Sequence, residues 1–459
     1  MPVLPPQTHE EAQREFAETL SGFTAGDKPD YADYSRCIHC GLCLNACPTY
    51  RLWHNEADSP RGRIRQMALI DQGRLEFSDG FVTHIDRCLD CRACETACPS
   101  GVEYGKLVEL ARAQIARNFQ RSRLSRLARR YVFERLLPSP RRIARLAGLI
   151  RVYQRSGLET LARGSGILRL FGLQQRAALL PRIDSEFFFS RLGKTFPAKG
   201  PRRARVAFFA GCVAQVTFTE LNDATIRVLQ ANGCEVVVPA DQFCCGALAA
   251  HAGERDIARD LARKNMAAFL REPFDAIITN AAGCGSTLKE YTHLFSENPA
   301  DSGRHSSSAD GNRAAAATAA EFSSRVRDVT EFLAELGLSA PLRETKVRVT
   351  YQDSCHLAHG QKIREAPRKL IRAIPGVEFV EMPLADHCCG SAGIYNVTET
   401  AASMQILAEK MRHAKSTAAS VIVTANPGCI LQLRAGAKLH HTGQQVLHAV
   451  ELLARAIPS

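Results

Sequence analysis

Apolar residues in the second half of the chain fall in short blocks separated by stretches of helical spacing. Arg205-Val-Ala-Phe-Phe-Ala210, Glu235-Val-Val-Val-Pro239 and Asp275-Ala-Ile-Ile-Thr-Asn280 read as strands, with helices over roughly 217–231 and 254–270 between them. The alternation returns in Lys346-Val-Arg-Val-Thr350, Val377-Glu-Phe-Val380 and Ser420-Val-Ile-Val-Thr424. Short apolar strands divided by helices predict parallel βαβ units. The N-terminal part reads differently. Ser59-Pro60 is a helix start, and Ile64, Met67, Ala68 and the pair Leu69/Ile70 follow at helical spacing. In the middle, Leu124, Leu127, Tyr131 and Leu136 predict an amphipathic helix broken at Pro138 and Pro140, followed by a second helix from Arg141 to Leu149. No run of about 18 apolar residues occurs, so no transmembrane helix is expected. The pattern gives a multidomain α plus α/β chain. Its expected parts are a largely helical domain over 28–110, an arginine-rich helical connector over 111–200, a first α/β repeat over 201–300, a flexible linker over 301–325 and a second α/β repeat over 326–459.

Composition sharpens this in two places. The 459 residues are 45% hydrophobic and 23% charged, which excludes a mainly disordered chain. The formal net charge is +12, and 13 arginines lie between Arg112 and Arg155 with almost no acid. That segment lacks the interleaved aromatics of a base-stacking platform, so no nucleic acid is expected as a partner. A solvated connector face, an acidic subunit and anionic lipid headgroups are the readings left open. The second anomaly is 17 cysteines. The start, Met1-Pro-Val-Leu-Pro-Pro, has no cationic segment followed by an apolar run, so a cytoplasmic location is expected, where thiols stay reduced. Metal or redox chemistry is then the expected use of so many thiols.

The cysteines are clustered. Cys37-x2-Cys40-x2-Cys43-x3-Cys47-Pro48 and Cys88-x2-Cys91-x2-Cys94-x3-Cys98-Pro99 both carry the run that holds a cubane [4Fe–4S] cluster. Three cysteines in a tight loop converge on one cube, and the fourth begins a turn that points to the other. The expected sets are Cys37, Cys40, Cys43 and Cys98 for one cluster, and Cys88, Cys91, Cys94 and Cys47 for the second. Zinc knuckles fit less well, because zinc sites rarely repeat this whole pattern with both prolines.

The remaining cysteines define an internal repeat. Cys212, Cys244-Cys245-Gly246 and Gly283-Cys284 recur as Cys355, Cys388-Cys389-Gly390 and Gly428-Cys429, at offsets of 143, 144 and 145 residues. Every one follows the C-terminal end of a predicted strand, the edge where open parallel sheets bind ligands. Four thiols are thus delivered to one edge of each copy, as candidate iron–sulfur or zinc sites. Asp353, His356 and His359 surround Cys355, and His387 precedes Cys388, as candidate ligands or supporting donors. Gly246, Gly283, Gly390 and Gly428 are expected to permit tight turns. Cys234 is left over as a buried structural thiol.

Paired cysteine–cysteine–glycine units behind a two-cluster ferredoxin domain resemble the cysteine-rich family that includes subunits of heterodisulfide reductase and anaerobic glycerol-3-phosphate dehydrogenase. Within it the chain is similar to the iron–sulfur subunits of bacterial glycolate oxidase. Arg36–Tyr50, Ser59–Arg63, Asp86–Val102, Cys244–Ala247, Ala282–Tyr291, Cys388–Tyr395 and Val423–Cys429 carry the resemblance. It departs from the family's fuller C-x-x-C ending, since Gly285-Ser286-Thr287 follow Cys284 and Ile430-Leu431-Gln432 follow Cys429. Each copy has four cysteines rather than five, which speaks against a non-cubane cluster and leaves a cubane, a single metal ion or a shared site open.

No flavin, nicotinamide or P-loop fingerprint is present, and no catalytic residue is assigned. Clusters carry single electrons, so the reading is an oxidoreductase subunit that relays electrons. The resemblance implies an FAD-containing partner subunit that oxidises glycolate to glyoxylate, and a quinone or other membrane acceptor other than NAD. It also implies a peripheral position on the cytoplasmic face of the inner membrane. The same subunit for lactate or glycerol-3-phosphate oxidation, and a structural metal-binding interaction protein, are the alternatives.

Overall fold

A computed structural model describes residues 21–24, 26–295 and 306–458. The chain divides into two units: residues 21–121 together with 250–254, and residues 122–249, 255–295 and 311–458.

The first unit is helical. Ser59 caps the helix Pro60–Asp71 through the Gly62 amide, with Pro60 in the first turn where a missing N–H costs nothing. Ile64, Met67 and Ile70 of this helix pack with Phe81, Val82 and Ile85 of Asp79–Asp86, and with Leu107, Val108 and Ile115 of Tyr104–Asn118. The spacing of these residues at three and four is the spacing read from the sequence. Gln114, fully buried, ties the N-terminal segment down by hydrogen bonds to the Thr24, Gly26 and Asp27 carbonyls.

The second unit holds two parallel sheets. The first has β1 (Thr195–Phe196), β2 (Ala204–Phe209), β3 (Cys234–Val237), β4 (Ala276–Thr279) and β5 (Val326–Asp328) in the order β1-β3-β2-β4-β5. The second has β6 (Val347–Tyr351), β7 (Val377–Glu381), β8 (Val421–Thr424) and β9 (Gln445–His448) in the order β7-β6-β8-β9. Only the two-residue edge strand β1 is antiparallel. Cys234 lies fully buried in β3.

Two expectations are corrected. The segment 301–325 is not a free linker where it is described: Ser306–Arg325 is a helix, held by Phe322, which is fully buried, stacks on Tyr291 at 5.3 Å and meets Phe269 edge-on. Residues 301–305 lie outside the described ones. The second repeat also does not begin at 326, because β5 pairs with β4 and belongs to the first sheet. Both copies therefore have a fourth strand, β5 or β9. Each leads into a capped helix, Val329–Leu336 or Ala449–Ala456, with a reciprocal capping box of Asp328 and Glu331 or His448 and Glu451.

These last helices are exchanged between copies. Thr219–Ala231 of the first copy packs against Ala449–Ala456 of the second, and Glu365–Arg372 of the second against Val329–Leu336 of the first. One apolar core runs through both sheets as a result.

His448 is fully buried, and burial pushes its imidazole down to about 4, so it is neutral while its Nδ1 accepts from the Val450 amide. Its folded pKa lies below the unfolded value, so the unfolded chain takes up the proton first and stability is lost as pH falls from about 6.5 towards 4. Asparagine would keep a capping acceptor without titrating. Denaturation of wild type and His448→Asn at neutral pH and at about pH 5 is expected to show wild type losing about 2 kcal/mol more than the variant.

Candidate metal centres

The two ferredoxin-type loops have the same backbone. Each turns left-handed twice, at His39 and Gly41 in the first and at Asp90 and Arg92 in the second. For non-glycine residues this conformation costs about 1–2 kcal/mol each, and it is what curls a short loop so that its thiols face one point. Cys37, Cys40, Cys43 and Cys98 line one solvent-open pocket of about 410 Å³, with Ile64, Val102 and Tyr104 on its walls. Cys47, Cys88, Cys91 and Cys94 line a second of about 290 Å³, walled by Arg63 and Tyr104. Cys94 and Tyr104 border both. A donor set of four soft thiols around an apolar cavity fits an iron–sulfur cluster. Burial pushes the Cys43 thiol up to about 11 and the Cys94 thiol well above the ordinary range.

Arg63 is the residue whose role the sequence reading missed. Its side chain is 1% exposed. The guanidinium donates to the His84 carbonyl at 2.6 Å and to Thr49 Oγ1 at 3.2 Å, and sits 3.6 Å from the buried Asp58 carboxylate. Burial alone would discharge it, but Tyr104, Cys88, Cys47 and Asp58 hold its pKa above the usual arginine value. It is a fixed positive charge beside the second thiol set. The sequence signals for it are its place in a helix of apolar spacing and at the end of the Ser59–Arg63 stretch that carries the family resemblance.

A second ion network lies in the same unit. His251 Nδ1 is 3.0 Å from Asp90 and 2.9 Å from Glu109, and those carboxylates raise the imidazole to about 9, so it is charged at neutral pH.

In the second unit the repeated cysteines converge at the C-terminal edges of the sheets. Side-chain hydrogen bonds link Cys212 to Cys244, Cys244 to Cys245 and Cys245 to Cys284. The same chain of contacts links Cys355, Cys388, Cys389 and Cys429. All eight candidates thus fall into two sets of four. Gly246 and Gly390 turn left-handed directly after the cysteine pairs, and a Cβ on Gly390 would lie 2.7 Å from the Ser403 carbonyl. Gly283 and Gly428 have ordinary backbone and open the helices Ala282–Lys289 and Pro427–Leu439. The two sets are neighbours. The Ala282 amide donates to the Ala425 carbonyl, and the Gly283 amide to Asn426 Oδ1, both at 3.3 Å.

Of the polar candidates, two are engaged elsewhere. Asp353 is gripped by the Arg368 fork at 2.9 and 2.7 Å, and Arg368 also holds Glu381. His359 meets the Asp386 carbonyl at 2.9 Å and Arg364 at 3.2 Å, one at each ring nitrogen. Lys410 was not foreseen. It is 2% exposed and donates to the Leu384 and Ala385 carbonyls at 2.6 and 3.2 Å; the Cys388 thiol is lowered first by hydrogen bonds from Cys355 and Cys389, then by the Gly390 amide and, least, by the Lys410 charge. The corresponding position of the first copy, 144 residues earlier, is the buried Met266.

Thiol-lined cavities in a helical domain, followed by duplicated thiol sets on parallel sheets, define a multi-centre iron–sulfur protein. Comparison with known proteins makes this more specific. Residues 33–102 match the 4Fe-4S dicluster domain family, 206–289 and 349–434 the cysteine-rich domain family, and 120–180 the linker region of the glycolate oxidase iron-sulfur subunit. The chain is 41% identical to the probable glycolate oxidase iron-sulfur subunit of Bacillus subtilis over 97% of its own length and 96% of the relative's. It is 31% identical to the glycolate oxidase iron-sulfur subunit of Escherichia coli over 92% and 93%. Lactate utilization protein A of Oceanobacillus iheyensis matches at 29% identity over 54% of this chain and 96% of that one. The chain belongs to the glycolate oxidase iron-sulfur subunit family.

Lys410→Met would give the second copy the neutral side chain of the first and remove the cation that favours thiolate there. Metal analysis is expected to show less metal per chain in this variant, and a further loss when Cys388→Ser is added to it.

Proposed function

We propose that this protein is the electron-relay subunit of a glycolate-oxidising complex. Cys37, Cys40, Cys43 and Cys98 would hold one [4Fe–4S] cluster, and Cys88, Cys91, Cys94 and Cys47 the other. The observation that carries the reading is the pair of cavities, each lined by one complete set of four thiols from two distant loops. Such clusters supply one-electron redox chemistry. The chain's own residues would hold the thiolates in place, set charge beside the second set through Arg63 and line the first with the apolar Ile64 and Val102. The eight thiols of the repeats would hold further iron–sulfur or zinc centres, with Lys410 favouring thiolate in the second copy.

The names of the relatives support the substrate assignment. Oxidation of glycolate to glyoxylate releases two electrons and two protons, and that step would take place on an FAD-containing partner subunit. The acceptor would be a quinone or another membrane carrier, with the protein peripheral on the cytoplasmic face. Among the described residues no helix is long and apolar enough to cross a membrane. The similarity to lactate utilization protein A favours lactate as the second reading for the substrate.

The test is anaerobic co-purification with the flavoprotein partner, followed by iron, sulfide, zinc and EPR analysis and assay on glycolate and lactate. About eight iron with matching sulfide for the two ferredoxin clusters is expected, and a reduced-cluster EPR signal that diminishes in Cys91→Ser. Stoichiometric zinc with no EPR signal would make this a structural metal-binding protein. Lactate-dependent reduction without glycolate-dependent reduction would select the second reading.

A further inference from the structure

The net charge of the chain is confined to one segment. Residues 121–180 contain fourteen arginines, no lysine and two acids, Glu134 and Glu159, a formal charge of +12. That equals the charge of the whole protein, so the other 399 residues are neutral overall. The helices of residues 121–180 are Arg123–Arg130, Tyr131–Leu136, Pro140–Arg155, Leu158–Gly164, Ile167–Leu170 and Gln174–Ala178.

The apolar residues of these helices largely face outward. In Arg123–Arg130 no side chain is buried, and Leu124, Leu127 and Tyr131 form an exposed stripe at helical spacing, with Leu124 78% exposed. In Pro140–Arg155, Ile143 and Ala147 face inward while Leu149, 70% exposed, and Val152 look away. Leu161 of Leu158–Gly164 and Leu170, 80% exposed, of Ile167–Leu170 continue the series. Exposed leucines on successive helices of one charge sign exceed what a solvated connector needs.

We propose that residues 121–180 are an interfacial docking surface for an anionic lipid bilayer. This deepens the membrane-side position of the reading above and rests on it only for that placement. An acidic protein face would neutralise the arginines but set its carboxylates against the leucines. A bilayer takes both in one plane, with leucine and tyrosine at the acyl boundary and guanidinium groups at the phosphates.

The test is co-sedimentation of the full chain with phosphatidylcholine vesicles, with and without phosphatidylglycerol. Binding to the anionic vesicles is expected, weakened about tenfold in the double variant Leu149→Glu, Leu170→Glu and by raised salt. Unchanged iron content and cluster EPR in that variant report that it has folded. Absence of binding to anionic vesicles, or equal binding by the folded variant, overturns the proposal. If wild type ignores vesicles while the variant loses its co-purifying flavoprotein, the surface is a protein interface and the lipid assignment is wrong. Vesicle binding needs no electron donor, so its failure and the failure of the relay role are read separately.

Discussion

Four thiols brought within bonding reach of one another repel as thiolates and resist ionisation when buried. The architecture is built around that constraint. Convergence is achieved in two ways. In the helical unit, left-handed residues at His39, Gly41, Asp90 and Arg92 curl two short loops. In the α/β unit, parallel strands set all the cysteine loops of a copy at one edge, and Gly246 or Gly390 turns the chain after each cysteine pair. Repulsion is met by buried cations with hydrogen bonds of their own: Arg63 beside Cys47 and Cys88, and Lys410 beside Cys388 and Cys389. Each is held by carbonyls, and Arg63 also by Asp58, so its position does not depend on the thiols.

The two α/β copies meet the constraint differently. The second surrounds its set with charge: Lys410, the Asp353–Arg368–Glu381 bridge and the Asp386–Arg364 pair. At the matching places the first copy has Met266 for Lys410 and Ala210 for Asp353, both buried and neutral. Hydrogen bonding between thiols and burial raise Cys212 and Cys245 of the first copy and Cys389 of the second, whereas hydrogen bonds from neighbouring thiols lower Cys388 and Cys429 of the second. Duplication supplied two identical thiol frames, and the electrostatics around them diverged. Because the Ala281–Cys284 and Ala425–Cys429 loops touch, a centre in one copy feels the charge of the other, so the difference is a property of the pair.

The cysteine spacing, six of the strands and their parallel direction were legible because each is a local pattern. The fourth strands were not. Their offset drops from 145 to 120 residues, from Asp328 to His448, because the first copy carries the extra stretch that ends in Ser306–Arg325. That stretch reads as low complexity, and Ala319 and Phe322, both fully buried, dock it; two residues make no periodic signal. Asp353 and His359 looked like ligands by proximity in sequence, yet Arg368 and Arg364, supplied by a helix and a loop further on, occupy them. Lys410, and the role of Arg63 within the stretch Ser59–Arg63, were invisible for the converse reason. A cation that acts at a distance in sequence carries no motif, and its burial is known only once the helices are packed.

The charge distribution has the same logic at larger scale. The centres need local cations, and those cations are matched by nearby acids and thiols, so outside residues 121–180 the charge sums to zero. The arginines of that connector have only two acids among them and stand with leucines turned outward. Neither feature helps the connector fold: arginines that outnumber the acids around them repel one another, and exposed leucines gain nothing in water. A segment that spends stability in both ways at once, on helices too short to cross a bilayer, has the properties of a surface completed by something outside the chain.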